Sequence, residues 1–186
     1  MIRFCRHCLI LVLIYTFISA IPYGGYAFAK EISYPAKVTL LSNREYVTEL
    51  ISGIRHAKKE IQLCFFLFKV NKWEKGLPMK VVQELIAASR RGVDITVVLE
   101  RDSLKKDSIY DQNILAASLL SSNGVKVRFD SPQVVTHAKA VVIDNRYLYL
   151  GSHNITQSAL KYNNELSVLI DSPELAREVK SYIEHL

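Results

Sequence analysis

Residues 136–154 read THAKAVVIDNRYLYLGSHN. A histidine and a lysine two apart precede an apolar run, an Asp-Asn-Arg break, a second apolar run, and Gly-Ser-His-Asn. Two short apolar runs on either side of polar turn-formers predict a β-hairpin over 137–154. A two-residue loop at Asn145 and Arg146 pairs Asp144 with Tyr147, Ile143 with Leu148, Val141 with Leu150, Lys139 with Ser152, and His137 with Asn154. Side chains alternate along a strand, and directly opposite residues share a face. The expectation is one apolar face of Val141, Ile143, Leu148 and Leu150. That face ends in a polar group of His137, Lys139, Ser152 and Asn154. A slip of one residue sends every side chain to the other face, so the grouping depends on this register.

The expected group combines an imidazole, a fixed cation and two neutral hydrogen-bonders. With one histidine and no carboxylate it is a poor Zn²⁺ or Mg²⁺ site, and no cofactor is implied. It suits a phosphate, which gains from a cation and neutral donors and meets no repelling anion. A histidine beside a phosphodiester can attack phosphorus and form a covalent intermediate.

Outward from the hairpin, element types alternate. Residues 37–41 read as a strand, and 44–59 as a helix with apolar residues at Val47, Leu50, Ile51, Ile54 and Ala57 and with Asn43 as its cap. Residues 61–68 and 93–100 are continuous apolar runs of buried-strand type. Residues 77–92 and 108–124 read as helices and 125–129 as a strand. After the hairpin come a strand at 164–170 and a helix opened by Ser172 and Pro173. This predicts an α/β domain with a mostly parallel mixed sheet and helices on both faces. Ligands in such sheets bind at the carboxyl ends of strands.

The string His137-x-Lys139-x4-Asp144-x6-Gly151-Ser152-x-Asn154 resembles the signature of the phospholipase D superfamily, with spacing intact. Glu165, in Asn-Asn-Glu-Leu, matches the acidic residue that the family carries further along. The resemblance runs from about Val38 to the C-terminus. It implies catalytic roles for His137, Lys139, Asp144 and Glu165, and phosphate binding by Lys139, Ser152 and Asn154. Lipid-acting members mostly hold two motifs, whereas this chain has one: His56 lacks the downstream Asp and Gly-Ser. Short single-motif members, bacterial periplasmic endonucleases among them, are homodimers whose motifs meet at the two-fold axis. The resemblance thus implies a homodimer with one composite site. One His137 is then the nucleophile, the second the proton donor. Glu165 is expected on a histidine ring nitrogen. Asp144 falls near the hairpin turn, remote from the group, and reads as structural.

The remaining residues set the context. The chain has 186 residues, 49% hydrophobic and 23% charged, with a formal charge of +6. Arg3 and Arg6 precede an uncharged apolar stretch that closes on Ala27-Phe28-Ala29, the layout of a cleaved signal peptide over 1–29. Uncleaved, Cys8–Ala29 is long enough for a membrane anchor, about 20 residues, although Pro22, Gly24 and Gly25 interrupt it. Either reading exports the rest to the periplasm or beyond. Cys64 is then the one cysteine outside the leader, within an expected core strand, so no internal disulfide forms there. The positive balance favours an anionic partner. Lys69, Lys72 and Trp73 form a basic-aromatic loop that suits single-stranded nucleic acid or a membrane interface. Arg101, Lys105 and Lys106 follow a strand end, and His153 points away from Asn154.

Three functions fit. The first is a metal-independent, exported endonuclease acting on DNA or RNA through phosphohistidine. The second is a phospholipase D releasing phosphatidic acid at a phospholipid membrane. The third is a membrane-tethered anion-binding module with an idle site.

Overall fold

The computed structural model describes residues 33–71, 76–101, 109–131 and 133–186. The expected leader, Lys72, Trp73, Lys105 and Lys106 lie outside them. The chain divides into a unit of residues 1–33 and a unit of 34–186. Among the described residues no helix is long and apolar enough to cross a membrane.

The second unit runs β1 (Lys37–Ser42), α1 (Arg44–His56), β2 (Glu60–Phe65), α2 (Leu77–Arg90), β3 (Asp94–Leu99), α3 (Ile109–Ser121) and β4 (Lys126–Phe129). The hairpin β5 (Lys139–Ile143) and β6 (Tyr147–Gly151) follows, then α4 (Gln157–Lys161), β7 (Leu166–Asp171) and α5 (Pro173–Glu184). The α/β layering and the main elements agree with the apolar periodicity. Helix α4, five residues long, is too short to show a period. Thr156 starts it, its hydroxyl accepting from Ala159 N at 3.1 Å.

Among the described residues seven strands form one sheet in the order β1-β7-β6-β5-β2-β3-β4. Only β2–β3 and β3–β4 are parallel; the other four pairings are antiparallel. The expected mostly parallel sheet is therefore corrected to a mostly antiparallel one. Helix crossovers make the parallel half, but the hairpin docks on the opposite edge of β2 and brings β7 and β1 with it.

Helices cover both faces, as expected. Side chains of α1, α2, α3 and α4 pack with Leu63, Phe65, Val97, Val141 and Ile143. Ala176 and Ile183 of α5 pack on the other face with Cys64, Val98, Ala140, Val142 and Leu148. Cys64 is fully buried, and burial pushes its thiol up to about 12.

The hairpin register differs by one residue from the expectation. Ile143 pairs with Tyr147, Val142 with Leu148, Val141 with Tyr149, and Ala140 with Leu150. The expected apolar face is thus split: Val141 and Ile143 face the four helices, Leu148 and Leu150 face α5. The turn centres on Asp144 and Asn145, with φ of 53° and 54°, and Arg146 N donates to Ile143 O at 3.1 Å. Asp and Asn tolerate left-handed backbone, whereas an Arg gains nothing there. Both sheet faces are apolar, so hydrophobic pattern could not choose the register, and turn chemistry did.

Asp144 ties this turn to the start of β2. Its carboxylate accepts from Lys58 N, Lys59 N and Glu60 N at 2.9, 2.7 and 3.1 Å. Its own N–H donates to Glu60 O at 2.9 Å. Two expected caps are also corrected. Neither Asn43 nor Ser172 caps its helix with a side-chain bond. Glu45 instead accepts from Ser42 N at 2.8 Å, and Pro173 sits in the first turn of α5.

Replacing Asp144 by Ala strands three donors and should lower stability by about 3 kcal/mol in urea unfolding. Asp144→Asn keeps an acceptor and the left-handed backbone, and should lose clearly less.

Candidate active site

The site lies at one end of the sheet, where β2 and β6 finish and β5 and β7 begin. Lys139 there pairs with Phe65, and Gly151 with Ser167. His137, Lys139, Gly151, Ser152 and Asn154 line a shallow pocket of about 380 Å³. The four expected side chains do converge, although by another route. The β5–β6 ladder stops at Ala140–Leu150, and beyond Gly151 the chain leaves regular pairing. Ser152 N donates to Leu166 O at 3.1 Å, and Ile155 forms a parallel bridge to Phe68. That departure from the ladder cancels the one-residue shift.

His137 and Lys139 touch. The Lys139 Nζ lies 3.0 Å from Nδ1 and 3.2 Å from Nε2 of His137, and donates to the His137 carbonyl at 2.6 Å. The Phe66 ring packs on both: its centroid is 4.6 Å from that of His137 and 5.2 Å from Lys139 Nζ. Burial lowers the Lys139 pKa below the ordinary lysine value, while Glu165 and Cys64 act in the opposite sense.

The remaining polar groups are already partly engaged. The Ser152 hydroxyl accepts from Leu166 N at 3.1 Å and donates to the Glu165 carboxylate. Asn154 Oδ1 accepts from Leu67 N at 3.2 Å, leaving its amide nitrogen as the donor toward the pocket. Within one chain Glu165 meets Ser152 and Asn163, whose Nδ2 donates to it at 3.0 Å, and does not meet His137. Asp144 stands at the far end of the hairpin, bonded to backbone N–H groups. It holds the strands that carry the site and lies outside the pocket, so it is corrected from catalytic to positioning. Lys69 lies in the neighbouring groove beside Thr156 and Gln157, and Arg101 lies 5.9 Å from the Tyr110 ring.

Three supports were not legible in the sequence. Asn113 of α3 is fully buried. It accepts from Phe68 N at 2.7 Å and donates to Phe66 O at 3.0 Å and Glu100 O at 3.1 Å. It thereby fixes the segment that presents Phe66 to His137. Asn43 clamps Glu165 twice: its N–H donates to Glu165 O at 2.9 Å, and its Oδ1 accepts from Glu165 N at 3.0 Å. His153, expected to point away from Asn154, is 1% exposed and stacks on Tyr46 at 4.3 Å. Burial holds its pKa below the usual value, favouring the neutral ring. Its Nε2–H then donates to Asn43 O at 2.9 Å, and Nδ1 accepts from Ser167 Oγ at 2.7 Å.

Comparisons place this geometry among known proteins. Residues 50–186 match the family described as cardiolipin synthase, PLD-like domain. A polyphosphate kinase of Vibrio vulnificus is 27% identical over 149 residues, 76% of this chain and 20% of the relative. A phospholipase D of Rickettsia prowazekii is 28% identical over 131 residues, 65% of this chain and 58% of the relative. The chain thus spans a fifth and under two thirds of these relatives. The solved phospholipase D family member Nuc from Salmonella typhimurium superposes with a TM-score of 0.67 at 24% identity, covering 81% of this chain and 93% of Nuc.

Gly151 is held against β7. A Cβ there would overlap the Ser167 side chain and its Cα. Gly151→Ala should cost at least about 2 kcal/mol and lower the melting temperature. Adding Ser167→Ala should not restore it, because the backbone overlap remains.

Proposed function

The chain belongs to the PLD-like family of the phospholipase D superfamily, and from that premise we propose that it is an exported, metal-independent phosphodiesterase, an endonuclease acting on DNA or RNA. The observation that carries the reading is the His137–Lys139 contact in an open pocket whose described lining adds a hydroxyl and an amide, with the nearby Glu165 carboxylate held by Ser152 at the rim. An imidazole can attack phosphorus there while the ammonium neutralises a non-bridging oxygen.

In-line displacement needs a nucleophile on one side of phosphorus and a proton donor on the other. One chain supplies one such histidine, so the reading requires a homodimer with its two pockets facing. His137 of one copy forms the P–N bond as the P–O bond to the leaving group breaks. The second copy's His137 gives that oxygen its proton. Water then attacks phosphorus, loses a proton to the second histidine, and releases the first. Lys139 stabilises the charge at both steps. Ser152 and Glu165 form a hydrogen-bonded pair at the rim, and the amide of Asn154 adds a donor.

A second reading, phospholipid hydrolysis, is favoured by Val134 and Val135. They are 74% and 65% exposed immediately before the site histidine, where a membrane could be met.

The test uses the full chain in excess EDTA with plasmid DNA and, separately, phosphatidylglycerol vesicles. The expected result is DNA cleavage lost at least about a thousandfold in His137→Ala, with acid-labile phosphate trapped on His137. Hydrolysis of the lipid alone would replace the first reading with the second, and an active monomer in sedimentation would remove the composite site. The lowered Lys139 pKa predicts a further signature. The ammonium is charged below its pKa and lost above it, so KM should rise on the alkaline side before the ordinary lysine value of 10.5 is reached.

A further inference from the structure

Beside the site lie two shallow grooves with shared lining residues, together termed the channel. The first, about 460 Å³, runs from Asn163 and Asn164 to the start of α1; the second, about 370 Å³, continues to the start of α2. Arg44 and Lys161 line both, and Lys80 lines the second. The channel begins where the site ends: Asn163 donates to Glu165, which accepts from the pocket's Ser152.

Its charge is one-sided. None of Arg44, Lys80 and Lys161 forms a salt bridge with a carboxylate among the described residues, although Lys80 lies near enough to Glu84 to help lower that carboxyl's pKa. Glu84, one turn along from Lys80, is taken by Arg55. Among the described lining residues the one carboxylate, Glu45, is held on Ser42 N. Arg44 Nε donates to Lys161 O at 3.3 Å, which keeps these two residues together. The first turn of α2 carries no acidic residue. On the rim, Tyr162 is 67% exposed, with Lys161 Nζ 5.1 Å from its ring centre.

We propose that this channel is a binding track for single-stranded nucleic acid. Arg44, Lys80 and Lys161 hold successive phosphates on one side of the scissile bond, and Tyr162 stacks an unpaired base. The proposal rests on the phosphodiesterase reading of the site and narrows its substrate. A glycerophospholipid has one phosphodiester and long acyl chains, but among its described lining residues the channel offers three cations and a single aliphatic side chain, Leu77. An exposed aromatic with a lysine on its face suits a base that has left its duplex.

The test compares the full chain with an Arg44→Gln, Lys80→Gln, Lys161→Gln variant and with Tyr162→Ala. Substrates are single-stranded oligonucleotides of increasing length and bis(p-nitrophenyl) phosphate, which is too small to reach the channel. The expected result is a kcat/KM that grows with oligonucleotide length. The triple variant should lose about tenfold or more of the ratio between long oligonucleotide and small substrate. Its slope of log affinity against log salt should fall by about 2, roughly 0.7 for each of three phosphate contacts. Tyr162→Ala should weaken oligonucleotide affinity about tenfold with the salt slope unaltered.

An unchanged ratio and slope in the triple variant would overturn the track. So would loss of binding to phosphatidylcholine–phosphatidylglycerol vesicles in place of oligonucleotide. Length-dependent binding by the His137→Ala chain, lost on neutralising the three cations, would uphold the track even if no substrate were cleaved. Hydrolysis of bis(p-nitrophenyl) phosphate without oligonucleotide binding would retain the phosphodiesterase reading and reject the track.

Discussion

The Asp144 carboxylate gathers Lys58 N, Lys59 N and Glu60 N at the start of β2. That knot decides which residue turns the hairpin, and through it which residues of β5 lie beside β2. Ile61 meets Ile143 and Phe65 meets Lys139 because the far end is pinned there. A carboxylate bonded to several N–H groups is a strong, directional contact, whereas the apolar pairs along the ladder accept a slip almost as readily. The motif's aspartate therefore serves a site at the opposite end of the hairpin without touching it.

The site end is held by close approach and by buried polar bonds. Gly151 lets β7 come within contact of β6, and Ser167 of β7 bonds His153 behind the pocket. Asn43 connects that histidine to the Glu165 backbone. Asn113 braces the Phe66–Phe68 segment from the other direction. Such networks are stable when every member is satisfied, as Asn113 and His153 are here. The pocket's own groups remain more open: Lys139 is only partly buried, and the Asn154 amide nitrogen has no hydrogen-bond partner among the described residues.

Charge is distributed to match. The pocket contributes Lys139, and the adjoining channel Arg44, Lys80 and Lys161. Most carboxylates near these cations are committed to backbone N–H groups or to other partners. A modest net charge thus becomes a locally positive surface around the pocket and its neighbouring grooves.

Much of this was legible in the chain. Apolar periodicity located the main helices and strands, because burial of one stripe or face imposes its period on the sequence. The residue types and spacing from His137 to Asn154 pointed to one group of polar side chains, and these do line one pocket, although the register used to bring them together was off by one residue. Three things were decided only by tertiary structure. Strand direction depended on which edge of β2 the hairpin docked against, and nothing in the hairpin's own residues encodes that edge. The register depended on Asp144 finding N–H groups 84 to 86 positions away. The roles of Asn43, Asn113 and His153 depended on partners from distant elements, since an amide or imidazole states its bonding capacity in sequence but its partners only in space.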